Sequence, residues 1–461
     1  MFKFLQNTKH AELISRLKII FCVFVICFAQ LLIGCSYVFS STLLAQLRKP
    51  TSTLKLNSEE ASWIASISVL VCPVGLIITG VLTDRIGRKR AIQIVYIPMI
   101  ISWLLLVFAD SYEAILIARI IQGFPFGSST CEYLYIAEIS PTKLRSVFFS
   151  TVTLFVGLGI MTEWLLAMFF HWNALSAVLC AMSVAGFVMV LFVPESPMWL
   201  RAQGRVEEAD RVDKWFGLKR ADISVSASRP SNDIDVPYWS LYLQRAVWKP
   251  TLITSAFLFL QQWSGVYVLL FYSVDVFHDC NVQQDGTTLS LLLACARVTG
   301  GITFTFLHRL RRKTLMVISG VGASTSLFVV VVYTLIFRDV AHPPYGTVLA
   351  TAFIAYMFFN LLGILPLPWI LCGEVFPMTV KGTMNGAVQT WGYFIMFLII
   401  KLYPSMVLKF GIEMSLSLFA TICLINSLFG VFIMPETKGK SLDDILSYFV
   451  TRKKNGLNEN L

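Results

Sequence analysis

Long apolar runs separated by short polar loops dominate this sequence. A run of about 20 apolar residues crosses the hydrocarbon core of a bilayer as a helix, and runs of that length recur along the whole chain. They cover residues 17 to 40, 60 to 82, 91 to 109, 113 to 137, 147 to 169, 174 to 193, 248 to 276, 287 to 307, 315 to 337, 347 to 372, 383 to 408 and 412 to 434. The pattern predicts an all-α membrane protein with about twelve transmembrane helices in two sets of six.

A polar segment from Pro194 to Val247 separates the two sets of runs. Its stretch GRVEEADRVDKWFG has helical spacing, with Glu207 and Glu208 placed about one turn before Arg211. We call this segment the linker and expect short amphipathic helices in it. The predicted domains are a first six-helix bundle over 1–193, the linker over 194–247, a second six-helix bundle over 248–434 and a tail over 435–461.

Composition narrows the class of protein. Of the 461 residues, 56% are hydrophobic and 14% are charged, whereas soluble domains are about half apolar and about a quarter charged. The net charge of +10 comes from short Lys and Arg clusters between apolar runs, so we do not expect nucleic acid as a partner. The ten cysteines have no metal-binding spacing, and no catalytic constellation or phosphate-binding loop occurs. We therefore expect no enzyme, no metal and no cofactor, and a lipid bilayer as the main partner.

Basic residues indicate the orientation of the chain, because cytoplasmic loops carry an excess of Lys and Arg. Such clusters follow even-numbered runs, as DRIGRKR after run 2, TKLR after run 4 and HRLRRK after run 8. The odd-numbered loops carry fewer basic residues and include Asp110, Glu113, Asp279 and Asp285. We expect both termini and the linker to be cytoplasmic, and the membrane to be the plasma membrane.

Three motifs of the first half recur in the same order in the second half. TDRIGRKR has a counterpart in HRLRRKTL, EISPTKLRS in EVFPMTVKG, and PESPMWL in PETKGKSL. The pairs indicate a duplicated six-helix unit, which is the internal symmetry of alternating-access carriers. A channel or a receptor does not require such a duplication.

Taken together, these motifs make the sequence resemble the sugar porter family of the major facilitator superfamily, and within it the insect trehalose and hexose facilitators. The resemblance extends from about Phe21 to Leu442 and includes Arg119 with GFPFG, QQWSG followed by FYS, PLPW, and GEVFP with Lys381. It implies a central cavity near the bilayer midplane that opens alternately to each side. It also implies transport of trehalose or a hexose such as glucose.

The resemblance further implies which side chains bind sugar. Gln261 and Gln262 of QQWSG match a glutamine pair that hydrogen-bonds sugar hydroxyls, and Trp369 of PLPW matches a tryptophan that lies against the sugar. Because an amide without a partner is costly in hydrocarbon, both glutamines should face a wet cavity. Bonds between helices and ordinary aromatic packing are the alternative roles. Pro366 and Pro368 beside this tryptophan should break run 10 and let it bend.

Other positions depart from the family pattern. Thr153 stands where the family has a glutamine, while Tyr267, Ala296 and Thr390 stand where it has asparagines. We keep Thr153, Tyr267 and Thr390 as candidate substrate contacts, since each can hydrogen-bond, together with Asn360 in run 10. The departures make a transfer of hexose specificity unsafe.

Charged residues at the cytoplasmic ends of the helices form a second candidate set, which the resemblance implies is a latch. The candidates are Asp84, Arg88, Glu138, Arg145, Glu374 and Lys381, with Tyr272 of FYS as a further gating residue. In the second half we expect a weaker latch, because His308 replaces the acid and Arg311 the glycine of the motif. Positive-inside anchoring is the alternative for the basic residues.

Ionisable residues inside the apolar runs are the third candidate set. Arg297 should have a partner, either an acid such as Glu132 or Glu163 or the backbone, unless it binds an anion or lines the cavity. Arg119 matches an arginine that faces a helix 1 acid in proton-linked sugar porters, but residues 17 to 40 contain no Asp or Glu. The missing acid favours uniport, while Glu132 and Glu163 keep a proton-coupled carrier open.

Two rival functions remain at this point. A non-transporting sugar sensor is suggested by the lost asparagines and the weakened second-half latch, and a carrier of organic anions is suggested by Arg297. The particular sugar and the oligomeric state stay open.

Overall fold

The chain folds into α-helices. The computed structural model describes residues 2–49, 54–141, 144–217, 242–282, 284–307, 310–338, 340, 344–377, 380–438 and 449, and the side chains of these residues other than 2–12, 145 and 146. The helices, numbered here in chain order, are α1 Phe2–Leu47, α2 Ser58–Ile86, α3 Arg88–Val107, α4 Tyr112–Phe126, α5 Ser129–Ile139, α6 Arg145–Ala167, α7 Trp172–Leu191, α8 Pro197–Ala202, α9 Val206–Phe216, α10 Arg245–Gln262, α11 Val266–Phe271, α12 Ser273–Asp279, α13 Gly286–Phe306, α14 Arg312–Ile336, α15 Thr347–Leu361, α16 Pro366–Cys372 and α17 Lys381–Phe432. The described residues contain no β-strand.

Twelve membrane crossings follow from these helices. Within the described ranges, nine segments are long and apolar enough to cross a membrane. One of them, α17, divides into two crossings at Gly411, whose φ of 82° and ψ of 165° are not helical. The pair α4 and α5 forms a further crossing, and α10, α11 and α12 together form the last one. The expected all-α fold with two sets of six crossings is confirmed.

The QQWSG motif interrupts the seventh crossing. Gly265 has a φ of 88° and a ψ of −2°, a left-handed conformation that favours glycine. A Cβ atom on Gly265 would lie 2.5 Å from Cδ2 of Phe419, so the position also needs a residue without a side chain. The break leaves Gln261 and Gln262 in the last turn of α10.

The tenth crossing is interrupted just before PLPW. Helix α15 ends at Leu361 and α16 begins at Pro366, a position where proline is tolerated because the first helical N–H needs no helical partner. Ser319 of α14 holds the break: its hydroxyl donates to the Phe359 carbonyl at 2.6 Å and accepts from the Ile364 N–H at 2.9 Å. The two prolines thus act as expected, and a neighbouring helix fixes where the chain bends.

The first part of the linker forms α8 and α9 beside α1. Lys18 of α1 donates to the Trp215 carbonyl of α9 at 3.1 Å, so this end of α1 marks the side of the bundle that we call the linker side. In α9, a hydrogen bond from Arg205 lowers the pKa of the exposed Glu208 carboxyl. The remaining linker residues 218–241 lie outside the described ranges.

The two halves contact each other on the side opposite the linker. Near the far end of α1, Ser41 lies 3.1 Å from the Ser273 hydroxyl of α12, and Arg48 pairs with Asp275 at 2.7 Å. Lys401 of α17 donates to Ser62 of α2 at 2.7 Å and lies over the Trp63 ring. Among the described residues, no hydrogen bond or ion pair joins the halves at the linker-side ends of these helices. The bundle is therefore closed on the side opposite the linker.

Candidate functional site

The two glutamines of QQWSG are fully buried at the broken end of α10. The Gln261 side-chain N–H donates to the Leu365 carbonyl in the α15–α16 break at 2.9 Å, while its amide oxygen has no protein partner among the described residues. The Gln262 amide lacks a described protein partner for both its oxygen and its nitrogen. Gln261 thus bonds two helices, which is the alternative role, whereas Gln262 makes no such described bond.

Asn360 lies in the same region, at the last turn of α15. It is fully buried, its side-chain N–H donates to the Tyr356 carbonyl at 2.9 Å, and its amide oxygen has no described protein partner. The Tyr356 hydroxyl donates to the Ser264 carbonyl of QQWSG at 2.7 Å. These bonds bring the broken ends of crossings seven and ten together, with free amide oxygens on both.

Aromatic side chains of α11, α16 and α17 form a second group, which we call the aromatic wall. The Trp369 ring lies 5.4 Å from the Tyr393 ring, at an interplanar angle of 45°, and it also contacts Tyr267. All three side chains are half-buried. Aromatic faces of this kind pack against the C–H face of a sugar ring, while the indole N–H and the phenols supply hydrogen bonds.

Arg297 continues the same group from α13. Its side chain is 8% exposed, and its nearest electrostatic partners are Tyr267 and Tyr37 of α1. Tyr37 in turn packs against Phe271 of α11, with ring centroids 6.1 Å apart. Arg297 therefore lies where the two halves meet, with one phenol from each half as its electrostatic partner.

The two threonines of the candidate set lie farther out. Thr153 is exposed and lies one turn from Gly157, whose α-carbon faces Val298 of α13, so it is on the α6 face that meets the second half. Thr390 lines a groove of about 340 Å³ between α2 and α17, together with Leu70 and Pro73. Neither hydrogen-bonds the glutamine amides among the described residues, and both stay predicted contacts.

The sequence analysis did not identify several buried polar residues that the structure shows. Tyr37 and Tyr393 contribute to the central group, yet tyrosines within apolar runs are also ordinary packing residues. Cys72 of α2 contacts Tyr393 and interacts with Tyr37. Asn426 of α17 is fully buried, with neither amide atom bonded to a described protein group, and a lone amide in run 12 was the available signal.

Arg119 is bound without a carboxylate. Its guanidinium donates to the Ser36 carbonyl of α1 and the Ile64 carbonyl of α2, both at 3.1 Å, to the Ser68 hydroxyl at 3.0 Å, and to the Gln122 side chain. The described residues give it no salt bridge. The helix 1 position opposite Arg119 is thus filled by a backbone carbonyl.

The two buried acids of the first half lie away from Arg297. Glu132 is fully buried and accepts from Ser128 at 3.1 Å, and Glu163 accepts from Thr42 of α1 at 2.7 Å. Each keeps one carboxylate oxygen without a described partner. Neither acid forms a described ion pair with Arg297, and each bonds a serine or threonine hydroxyl of its own half instead.

The first-half latch is a compact ion cluster on the linker side. Arg88 donates to Glu138 through two nitrogens, at 2.9 to 3.2 Å, and lies 3.7 Å from the exposed Asp84. Glu195 accepts the backbone N–H groups of Arg88 and Lys89 at 3.0 Å, where the start of α3 favours a carboxylate. In this conformation the cluster binds helices of one half only.

The second-half cluster repeats this arrangement. Arg312 donates to Glu374, and Glu436 accepts the backbone N–H groups of Arg312 and Lys313 at 3.3 and 3.4 Å. Thr437 also bonds Arg312 in this cluster. In the first half, Ser196 bonds Glu138. The arginine–glutamate pair is thus present in both halves. His308 lies outside the described residues, so the expected weakening of the second-half latch stays a prediction.

Glu374 and Tyr272 have partners that the sequence alone did not show. Glu374 pairs with Arg312 rather than with Lys381, since the start of α14 brings the guanidinium closer. Tyr272 is buried between α11 and α12, with its ring centroid 5.4 Å from that of Tyr403, and lies beside Asp275 on the side opposite the linker. It is therefore not part of the linker-side ion clusters, and its gating role stays a prediction. The Arg145 side chain lies outside the described residues.

Known proteins resemble this chain in sequence and in fold. The family model described as sugar (and other) transporter matches residues 19–449. This chain belongs to that family. The sequence resemblance to sugar porters is thereby confirmed.

Two insect relatives share its length, and solved structures share its fold. Proteins named facilitated trehalose transporter Tret1 from Polypedilum vanderplanki and Apis mellifera ligustica are 27% and 26% identical, over 90% of this chain and 85% of each relative. The chain spans 53% of the Tret1 of Aedes aegypti. The partially occluded inward open structure of the E. coli xylose transporter XylE gives a TM-score of 0.75 at 19% identity, over 92% of this chain and 99% of that one. This family member thus has the major facilitator fold.

Proposed function

We propose that the protein moves a sugar across the plasma membrane by facilitative uniport. The observation that carries the proposal is the Gln262 amide, which is buried without a described protein partner. It lies beside Gln261, which bonds Leu365 directly before the helix that carries Trp369 of the aromatic wall. Sugar hydroxyls satisfy amide donors and acceptors together. Family membership and relatives named as facilitated trehalose transporters support trehalose or a hexose as the cargo.

Alternating access follows from the contacts between halves. If the linker and both termini are cytoplasmic, as the basic loops favour, the conformation seen here is closed outside. Sugar then exchanges with the cytoplasm, and breaking the Arg48–Asp275 and Lys401–Ser62 contacts opens the opposite side. Two XylE structures similar in fold to this chain are inward open, in keeping with this direction.

The surroundings of Arg119 support uniport. Its guanidinium binds carbonyls, Ser68 and Gln122 instead of a titrating acid, so protonation has no carboxylate to neutralise there. A carrier without such a group equilibrates its substrate and does not concentrate it. The arginine–glutamate pair of the second half matches that of the first and supports a carrier over a non-transporting sensor.

Uptake into proteoliposomes tests both parts of the proposal. The purified full chain is given labelled trehalose or glucose, with and without an inside-alkaline gradient. We expect saturable uptake that stops at the external concentration, with the same extent in both conditions. Uphill accumulation that a protonophore collapses, and that Glu132→Gln or Glu163→Gln abolishes, would instead show proton coupling.

A further inference from the structure

Arg297 has a full positive charge in the central site. Its side chain is 8% exposed, and its Nη1 atom is buried without a described protein partner. Its electrostatic partners, Tyr267 and Tyr37, are neutral phenols at ordinary pH. The sugar-binding wall of Trp369 and Tyr393 is connected to it through Tyr267.

The acids within the described membrane crossings are engaged elsewhere. Glu132 is bonded to Ser128 and Glu163 to Thr42. Asp275 pairs with Arg48 at 2.7 Å on the side opposite the linker. The described residues thus supply no counter-charge to Arg297.

Closing the cavity raises the energetic cost of an unpaired charge on Arg297. While the site is open to water, solvent stabilises the guanidinium, but occlusion replaces that water with cargo and protein. A neutral sugar offers only hydroxyl dipoles, whereas a carboxylate forms short, paired hydrogen bonds with a guanidinium and cancels its charge. An anionic cargo therefore favours the occluded state at this site.

We propose that the preferred substrate is a sugar acid: a hydroxylated ring with one carboxylate, which binds Arg297 while its ring lies against the aromatic wall. The proposal rests on the proposed transport function and specifies its substrate class. The phenols of Tyr37 and Tyr267 would donate further hydrogen bonds to the same carboxylate. Hydroxyls elsewhere on the ring are left for Gln262 and Asn360.

Glucose and glucuronate make a matched pair for the test, because they differ only in having an alcohol or a carboxylate at one carbon. Labelled uptake of each is measured in proteoliposomes containing the full chain, with a potassium diffusion potential set by valinomycin. Uniport of a monoanion moves charge, so glucuronate should accumulate about tenfold at an inside-positive potential of about 60 mV. Glucose distribution should not respond to the potential.

Variants then assign the effect to Arg297. Arg297→Gln should lower glucuronate uptake about ten- to hundredfold, the usual effect of a lost charged hydrogen bond, while Arg297→Lys should recover part of it. The control is Arg338→Gln, since that side chain is 70% exposed outside the site.

The outcomes separate the two proposals. Potential-driven glucuronate uptake that Arg297→Gln abolishes supports the sugar-acid substrate. Uptake of glucose without glucuronate, or glucuronate uptake unchanged in Arg297→Gln, overturns it and leaves sugar transport standing. Uptake of neither sugar, nor of trehalose, overturns the proposed function itself. If a variant fails to fold, the comparison of glucose and glucuronate uptake by the wild-type protein still tests the sugar-acid proposal.

Discussion

Gln261 and Gln262 are neighbours in sequence with different surroundings. The Gln261 amide donates across the break to Leu365, whereas neither atom of the Gln262 amide bonds a described protein group. An unmet amide in a buried site loses its hydrogen bonds to water, so Gln262 gains most from a bound solute. Of the pair, Gln262 is the sharper test of the site.

We expect Gln262→Leu to weaken sugar binding by about 1 to 3 kcal/mol, or about five- to hundredfold, because leucine cannot bond the hydroxyls. Expression should stay near normal, since no described protein partner is lost. The measurement is the affinity for labelled sugar in proteoliposomes, with Gln93→Leu at the linker-side surface as the control. Unchanged affinity in Gln262→Leu would move the site elsewhere.

Among the elements, the interrupted helices position the site. Gly265 ends the seventh crossing in a left-handed conformation, and Ser319 holds the break in the tenth. Together these breaks place the ends of α10 and α15 side by side, so that amide oxygens and backbone carbonyls face inward. Irregular backbone at membrane depth is tolerated where it is buried in protein or lines a cavity.

Gly265→Ala should therefore disrupt the protein. The added Cβ would be strained at a φ of 88° and would lie 2.5 Å from the Phe419 ring, so we expect a loss of several kcal/mol in stability and poor yield of folded protein. Gly301→Ala is the matched control, because a Cβ there meets nothing within 4 Å. Thermal stability in detergent compares the two, and equal melting temperatures would contradict the prediction.

The contact between α2 and α17 sets which side is closed. Lys401 donates to Ser62 and lies 4.1 Å from the centroid of the Trp63 ring, and a cation over an aromatic ring at a partly exposed site contributes about 0.5 to 1 kcal/mol. Lys401→Met should shift the population about two- to fivefold toward the state open opposite the linker.

A cysteine at Thr153 reports this shift, since that position is exposed in the present conformation. Its labelling by an impermeant maleimide from the linker side should fall in Lys401→Met. Lys409→Met on the same helix removes an equal charge from an exposed position and should leave labelling unchanged. Equal labelling in both variants would show that Lys401 does not hold this side closed.

In the whole molecule, the duplicated halves repeat contact by contact. Arg88, Glu138 and Glu195 of the first half correspond to Arg312, Glu374 and Glu436 of the second. In both, a carboxylate accepts the first N–H groups of the helix that follows the arginine-rich loop. The repeat therefore conserves a helix start as well as an ion pair.

Because the clusters are equivalent, Glu138→Gln and Glu374→Gln should have similar effects. Each leaves a partly buried arginine without its counter-charge, and we expect transport to fall about tenfold in either variant. Asp84→Asn is the control, since its carboxylate is 79% exposed and 3.7 Å from Arg88, where an ion pair contributes little. The measurement is the initial rate of sugar uptake in each variant. A Glu374→Gln variant as active as Asp84→Asn would show that the two ion clusters are not equivalent.

Features set by local composition could be predicted from the sequence. Run length gave the twelve crossings, the repeated motifs gave two halves, and Pro366 with Pro368 indicated the break in the tenth crossing. These follow because bilayer thickness and proline geometry act on short stretches of chain.

Partnerships between distant residues were decided by tertiary structure. Only the packing of helices shows that Glu374 pairs with Arg312 and that Tyr272 lies on the side opposite the linker. It also shows that tyrosines are the partners of Arg297, while Glu132 and Glu163 bond other groups. The physical reason is that the sequence determines which groups must be satisfied inside a membrane, whereas the rotation and contact of whole helices determine which group satisfies which.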